Sequence, residues 1–224
     1  MSDARQIPLD LQGRAATGRA EFFVSEANRS ALAAIDAWAS WPGGKLALIG
    51  PEGSGKTHLA HVWAEASGAR VVEAARLGEA EVPGLADHGR VAVEDVARAG
   101  EAGERALLHL HNLLQARGGS LLVTGRGAPA RWGVALPDLA SRLEAAGVAR
   151  LEPPDDALLA ALLVKLFADR QIKAPPALVT WLLPRMERSF AAAQRIVARL
   201  DALALAEGRP VSRALAARVL ADAA

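Results

Sequence analysis

Residues 45–57, KLALIGPEGSGKT, constrain the chain more than any other stretch. An apolar run from Leu46 to Ile49, the length of one buried strand, breaks into glycines and ends in Lys56 and Thr57. Gly50, Gly55, Lys56 and Thr57 fill the spacing G-x-x-x-x-G-K-T, and residues 58–66 read as a helix. Strand, glycine-rich loop and helix form the context that this spacing needs. A helix start leaves backbone N–H groups unpaired and carries partial positive charge. Glycines let that backbone wrap a phosphate without Cβ clashes. Gly50, Glu52, Gly53, Ser54, Gly55, Lys56, Thr57 and His58 are therefore read as a nucleotide site. Lys56 would reach the β- and γ-phosphates, and the Thr57 hydroxyl would ligate Mg2+. The competing reading is a plain glycine-rich turn, against which pattern and context agree.

A chain of 224 residues holds one large domain or two modest ones, and 51% hydrophobic residues are enough for a real core. Lys and Arg number 26 against 25 Asp and Glu, so no strong overall field points to nucleic acid. The absence of cysteine excludes disulfides and thiolate metal sites and suits a reducing cytosol. Residues 1–5 lack the apolar stretch of a signal peptide, and the apolar runs are far short of a membrane span. The expectation is a soluble cytoplasmic protein.

Residues 1–20 are polar and rich in Gly, Ala and Arg, as a flexible tail would be. Within them, Gln6 to Leu11 would show Ile7, Leu9 and Leu11 on one side of an extended peptide, and Pro8 discourages helix. Such a peptide is either a docking element or a tail folding back on its own domain; spacing does not choose. Phe22, Phe23 and Val24 precede an Ala-rich helix with Leu32, Ile35 and Trp38 at helical spacing, which Ser25 or Asn28 would cap. Residues 41–44 end it.

Residues 70–73 form a candidate second strand, and residues 75–90 a broken connection with room for one small helix. The third strand, residues 90–95, ends in Glu94 and Asp95. Ligands of doubly wound sheets sit at the carboxyl ends of strands, so both acids fall beside the phosphates. One can hold Mg2+ through water, and the other can orient an attacking water. The competing reading is an acidic helix cap. Residues 101–117 are helical, with Leu107, Leu108, His111 and Leu114 in register. His109 and His111 lie two apart, cannot share a helix face, and are not read as a metal pair. A fourth strand, residues 120–125, carries Thr124, whose hydroxyl either touches the γ-phosphate or its water, or merely caps the turn. Residues 136–144 form a short helix with Arg142, and residues 148–151 the last strand. Five strands alternating with helices imply an α/β fold with a mostly parallel sheet covered on both faces.

Residues 152–155 mark the clearest boundary, and beyond them the pattern is helical. Helices are expected over residues 155–169, over 176–187 with a kink or end at Pro184, over 189–207 up to Gly208, and from about Ser212. The expected organisation is a tail (1–20), an α/β nucleotide domain (21–152) and a small helical lid (153–224).

This order resembles the AAA+ ATPases, and four segments resemble the DnaA family in particular. They are Phe22 to Asn28 leading into the Ala-rich helix, Gly53 to Leu59 at the phosphate loop, Leu136 to Arg142, and Gln6 to Leu11. The last is similar to a peptide that binds the DNA polymerase sliding clamp. Together they are similar to the Hda family of DnaA-related regulators, over nearly the whole chain. The resemblance implies a P-loop AAA+ domain followed by a helical lid, binding ADP or ATP with Mg2+. It implies partnership with the sliding clamp through Gln6, Ile7, Leu9 and Leu11, and with DnaA, whose ATP hydrolysis it would stimulate. It places Phe23 and Val24 against adenine, Thr57 and Glu94 at the metal, Asp95 on the attacking water, Thr124 as first sensor and Arg142 as an arginine finger acting across an interface. Spacing alone favours instead a surface ion pair of Arg142 with Glu144 or Asp138. The family pattern is departed from at Glu94, where Asp is usual, and at Ala191, where the second sensor arginine would stand. The stretch between the second and third strands is also short, leaving little room for the initiator's single-strand-binding insertion. No helix-turn-helix follows the lid, so sequence-specific DNA binding is not expected. Two alternatives remain. One is a self-contained loader or motor ATPase, with Arg142 serving a second copy in a homodimer. The other is a non-catalytic nucleotide-binding adaptor.

Overall fold

The computed structural model describes residues 24–222. Its centre is a five-stranded sheet ordered β2-β3-β4-β1-β5, with β1 at Lys45–Ile49, β2 at Arg70–Glu73, β3 at Arg90–Glu94, β4 at Ser120–Gly125 and β5 at Gly147–Arg150. Every pairing is parallel. The fully buried β1 explains why its sequence is an unbroken apolar run rather than an alternating one.

The two-residue period of the strands sorts their side chains between two cores. Ala47, Ile49, Val91, Val93, Leu121 and Val123 face one way, against Leu107, Leu110 and Leu114 of α4 (Gly100–Ala116), Val82 and Ala86 of α3 (Val82–His88), and Leu139 and Leu143 of α5 (Pro137–Glu144). Leu46, Leu48, Ala92 and Leu122 face the other way, against Leu32 and Ile35 of α1 (Glu26–Asp36) and Leu59, Val62 and Trp63 of α2 (Lys56–Ser67). Helices on both faces of a parallel sheet are what the strand–helix alternation predicts.

Some boundaries differ. The first helix stops at Asp36, short of Trp38, which lies in a 3-10 turn with its ring under the Arg90 guanidinium at 5.6 Å. The chain tightens there because the Trp41 indole donates to the Ala34 carbonyl at 2.7 Å and packs on Trp63. At its start, Ser25 takes the cap position and the Asn28 side chain accepts from the Ser25 N–H at 2.9 Å. The third strand ends at Glu94 rather than Asp95. Asp95 turns into the left-handed region, φ 53 and ψ 58, to begin the next turn.

Beyond residue 155 the chain is helical: α6 (Asp156–Asp169), α7 (Pro176–Leu182), α8 (Phe190–Glu207) and α9 (Arg213–Ala221). Leu159, Leu163 and Phe167 of α6, four residues apart, meet Ala193, Ile196, Val197 and Leu200 of α8 and Leu215 and Val219 of α9 in a core of their own. Asp155, Ser189 and Ser212 accept from the N–H of Leu158, Ala192 and Leu215 at 2.7, 3.1 and 3.3 Å. Each such cap contributes about 1 kcal/mol. Gly208 closes α8 at φ 60, and Pro184 ends α7 by forcing a 3-10 turn.

Candidate functional site

The loop of residues 50–55 leaves β1 at its carboxyl end and delivers the chain into α2. Gly53 and Gly55 stand at φ 68 and 96, a region that residues with a Cβ avoid. Lys56, the first residue of α2, is nearly buried, and its ammonium donates to the Gly50 and Pro51 carbonyls at 2.9 and 2.7 Å. Burial is the main influence on this amine and holds its pKa below the ordinary 10.5; Arg126 adds to that, and Asp95, Glu52 and Glu94 oppose it. Gly50 is buried, and so is Ser54, whose hydroxyl lies 2.7 Å from where a Gly50 Cβ would sit. Thr57 and His58 occupy the first turn of α2, with Thr57 facing solvent.

The strand ends beside this loop carry the other groups. Gly125 aligns with Ile49, and the Gly50 N–H donates to the Gly125 carbonyl at 3.4 Å, so β4 ends against the start of the loop. Thr124, one residue earlier, is buried and accepts from the Asp95 N–H at 3.0 Å. That bond ties the third and fourth strand ends together and turns the Asp95 carboxylate out to solvent. Glu94 is half-buried, and desolvation raises its pKa. A hydrogen bond to the Thr57 hydroxyl and the field of His61 pull the other way. Its Oε1 is buried with no hydrogen-bond partner among the described residues. An orphaned carboxylate oxygen beside a threonine hydroxyl is a donor set that suits a hard divalent cation.

Lys56, Thr57, Glu94, Asp95 and Thr124 are therefore brought to one end of the sheet, as the sequence spacing requires. Val24, half exposed, is the first described residue. Phe23, Gln6, Ile7, Leu9 and Leu11 lie outside the described residues.

Arg142 is placed elsewhere. Gly147 of β5 aligns with Leu46 and Arg150 with Ile49, so α5, ending at Glu144, returns the chain to the end where strands begin. Arg142, in its last turn, sits at the edge opposite the glycine-rich loop. Its side chain is 36% exposed, with Nε buried, and pairs with Asp138 at 3.1 Å, one of the two ion pairs that spacing offers.

Three features were not read from the sequence. Arg126, two residues past Thr124, pairs with Glu52 of the loop at 2.6 Å. The rule that strand ends face ligands could have found it. The start of α8 packs on the loop: the Phe190 N–H donates to the Gly53 carbonyl at 2.9 Å, and a Cβ on Gly53 would lie 2.5 Å from the Ser189 Cβ. Glu104 of α4, buried, accepts from the N–H groups of Ala135 and Leu136 at 2.9–3.0 Å and so holds the segment that leads into α5. No local signal marks either of these last two contacts.

The sheet order, the loop at the head of α2 and the helical C-terminal part define a phosphate-loop α/β protein of AAA+ architecture. Among solved structures, domain III of the Thermotoga maritima replication initiation protein DnaA is similar at a TM-score of 0.74 and 20% identity, covering 90% of this chain and 94% of that one. AMPPCP-bound DnaA from Aquifex aeolicus aligns at 0.64 and 18% identity over 84% of this chain, which spans 64% of that longer protein. The Thermotoga maritima RuvB Holliday junction branch migration motor aligns at 0.68 and 18% identity, over 91% of this chain and 71% of its own. No protein-family model matches the chain. At these identities the likeness is one of fold. Among the described residues, no helix is long and apolar enough to cross a membrane.

Proposed function

We propose that this chain is an Hda-like negative regulator of replication initiation. It binds an adenine nucleotide, docks on the sliding clamp through Gln6, Ile7, Leu9 and Leu11, and stimulates hydrolysis of ATP held by DnaA. The observation that carries the reading is the separation of Arg142 from its own glycine-rich loop. The five residues of β1 span roughly 15 Å at ~3.3 Å each, and the arginine and the loop lie at opposite ends of it. A half-buried arginine so placed meets a phosphate only on a neighbouring molecule.

On this reading the backbone N–H groups of residues 53–57 and the Lys56 ammonium hold the phosphates. Thr57 and Glu94 would hold Mg2+, which supplies charge neutralisation between the phosphate oxygens when bound. Asp95, turned to solvent beside Thr124, would accept a proton from water. The nucleotide bound by the chain itself, ADP by preference, sets its shape. Arg142 then meets charge developing on the γ-phosphate of DnaA-bound ATP, where an arginine supplied by a partner is worth about 10³–10⁵ in rate. The nucleotide in AMPPCP-bound DnaA, whose fold this chain shares, supports the choice of adenine.

The test is ATP turnover by DnaA with and without this protein and DNA-loaded clamp. Arg142→Ala is expected to abolish the stimulation while clamp pull-down persists, and Gln6→Ala with Leu9→Ala to abolish both while the chain stays folded. Undiminished stimulation by Arg142→Ala sinks the finger assignment. Vigorous turnover by the protein alone, rising with its own concentration, would replace this reading with a self-contained ATPase whose partner is a second copy.

A further inference from the structure

We infer that Arg126 reads the terminal phosphate of the nucleotide held by its own chain, and that Glu52 holds this arginine when no terminal phosphate is there. The inference rests on the nucleotide-binding reading of the loop and goes beyond it by assigning the discrimination between triphosphate and diphosphate.

The first turn of α8 is packed on the glycine-rich loop through Phe190, an apolar side chain. The arginines that flank it are in exposed ion pairs whose partners do not belong to the loop, Arg188 with Asp156 at 2.7 Å and Arg195 with Glu187 at 3.3 Å. Arg126 approaches from the other side. The Gly50 N–H to Gly125 carbonyl bond places the backbone one residue before Arg126 against the first residue of the loop. From there its guanidinium reaches over the loop to the Glu52 carboxylate at 2.6 Å. Its positive field reaches the Lys56 ammonium and helps to hold that amine's pKa down.

Two properties make this pair a switch rather than a brace. Both side chains are more exposed than buried, 62% and 72%, so water and salt screen their attraction and little is lost when they part. A phosphate oxygen offers the same guanidinium a stronger, charge-assisted and bidentate partner. Glu52 lies on the loop itself, between Gly50 and Gly53, so its carboxylate also repels an incoming phosphate. Moving Arg126 from Glu52 to the phosphate keeps the arginine paired.

The test is calorimetry of the full chain with AMPPCP and with ADP, each with Mg2+. Arg126→Gln is expected to weaken AMPPCP binding about tenfold or more and ADP binding by less than about twofold, the loss expected of one charge-assisted contact. Glu52→Gln is expected to tighten AMPPCP binding, because it frees the arginine and removes the opposing charge. Equal loss of both ligands in Arg126→Gln, or no loss of either, overturns the inference while leaving nucleotide binding intact. If the unaltered chain binds neither ligand, the phosphate-site reading falls and this inference with it.

Discussion

His111 is a residue whose surroundings decide its chemistry. Its ring is buried on the inner face of α4, and burial holds its pKa below the ordinary 6.5. The Lys45 ammonium and the Arg142 guanidinium push the same way, and Asn112 and Asp138 oppose them more weakly. The folded protein therefore resists taking a proton that the unfolded chain accepts below about pH 6.5. The stabilisation from the neutral ring is present above that pH and is lost as pH falls through the folded value. Urea midpoints of the unaltered chain should decline over this window, and His111→Gln should flatten the decline. An unchanged slope in the variant would show that other groups carry the dependence. His109, two residues away, is exposed, so the inference that the two cannot share a face agrees with the fold. The same inference from spacing could not foresee Lys45 or Arg142 as its neighbours.

At the scale of elements, α5 shows how a short helix is held in place. It has eight residues and no side-chain cap of its own. Glu104, from a helix 31 residues earlier, accepts instead from Ala135 and Leu136. Glu104→Ala should lower the unfolding free energy by about 1–3 kcal/mol, the usual cost of stranding buried N–H donors. If the proposed function holds, it should also reduce stimulation of DnaA-bound ATP hydrolysis, because the helix bearing Arg142 loses its anchor. Glu104→Gln, which keeps one acceptor, should recover part of both. Full stimulation in the alanine variant, measured beside urea unfolding, would show that α5 keeps its place without the Glu104 carboxylate. The helix itself was legible in the sequence, over residues 136–144 against the observed Pro137–Glu144. Its anchor was not, since a lone glutamate on an amphipathic helix reads as solvated until the fold buries it.

For the whole molecule, the telling contact is the one between the helical part and the glycine-rich loop. The Gly53 carbonyl takes the Phe190 N–H, and a Cβ on Gly55 would meet the Phe190 ring at 3.3 Å. A ligand that orders this loop should therefore order the start of α8. Hydrogen exchange with ADP added is expected to slow at residues 190–194 as well as at residues 50–57, with one unfolding transition whose midpoint rises with ligand. Gly53→Ala should lower stability by about 1–2 kcal/mol through its left-handed backbone alone. It should also uncouple the two regions, because its Cβ lands on Ser189. Protection of α8 by ADP that survives this substitution would show that the contact does not transmit.

Read by itself, the sequence determined the strand–loop–helix order, the five parallel strands, the helices with their serine and glycine ends, and the gathering of Lys56, Thr57, Glu94, Asp95 and Thr124. These follow from local spacing, because the period of the apolar residues and the ends of parallel strands carry the information. Only the tertiary structure decided that Asp95 leaves its strand to donate its N–H to Thr124, that Arg126 reaches Glu52, that Phe190 seats on Gly53, and that Glu104 holds the approach to Arg142. Each of these joins residues from separate elements, and nothing in the spacing of either partner encodes the other. Their meeting is settled by which elements pack side by side around the shared core.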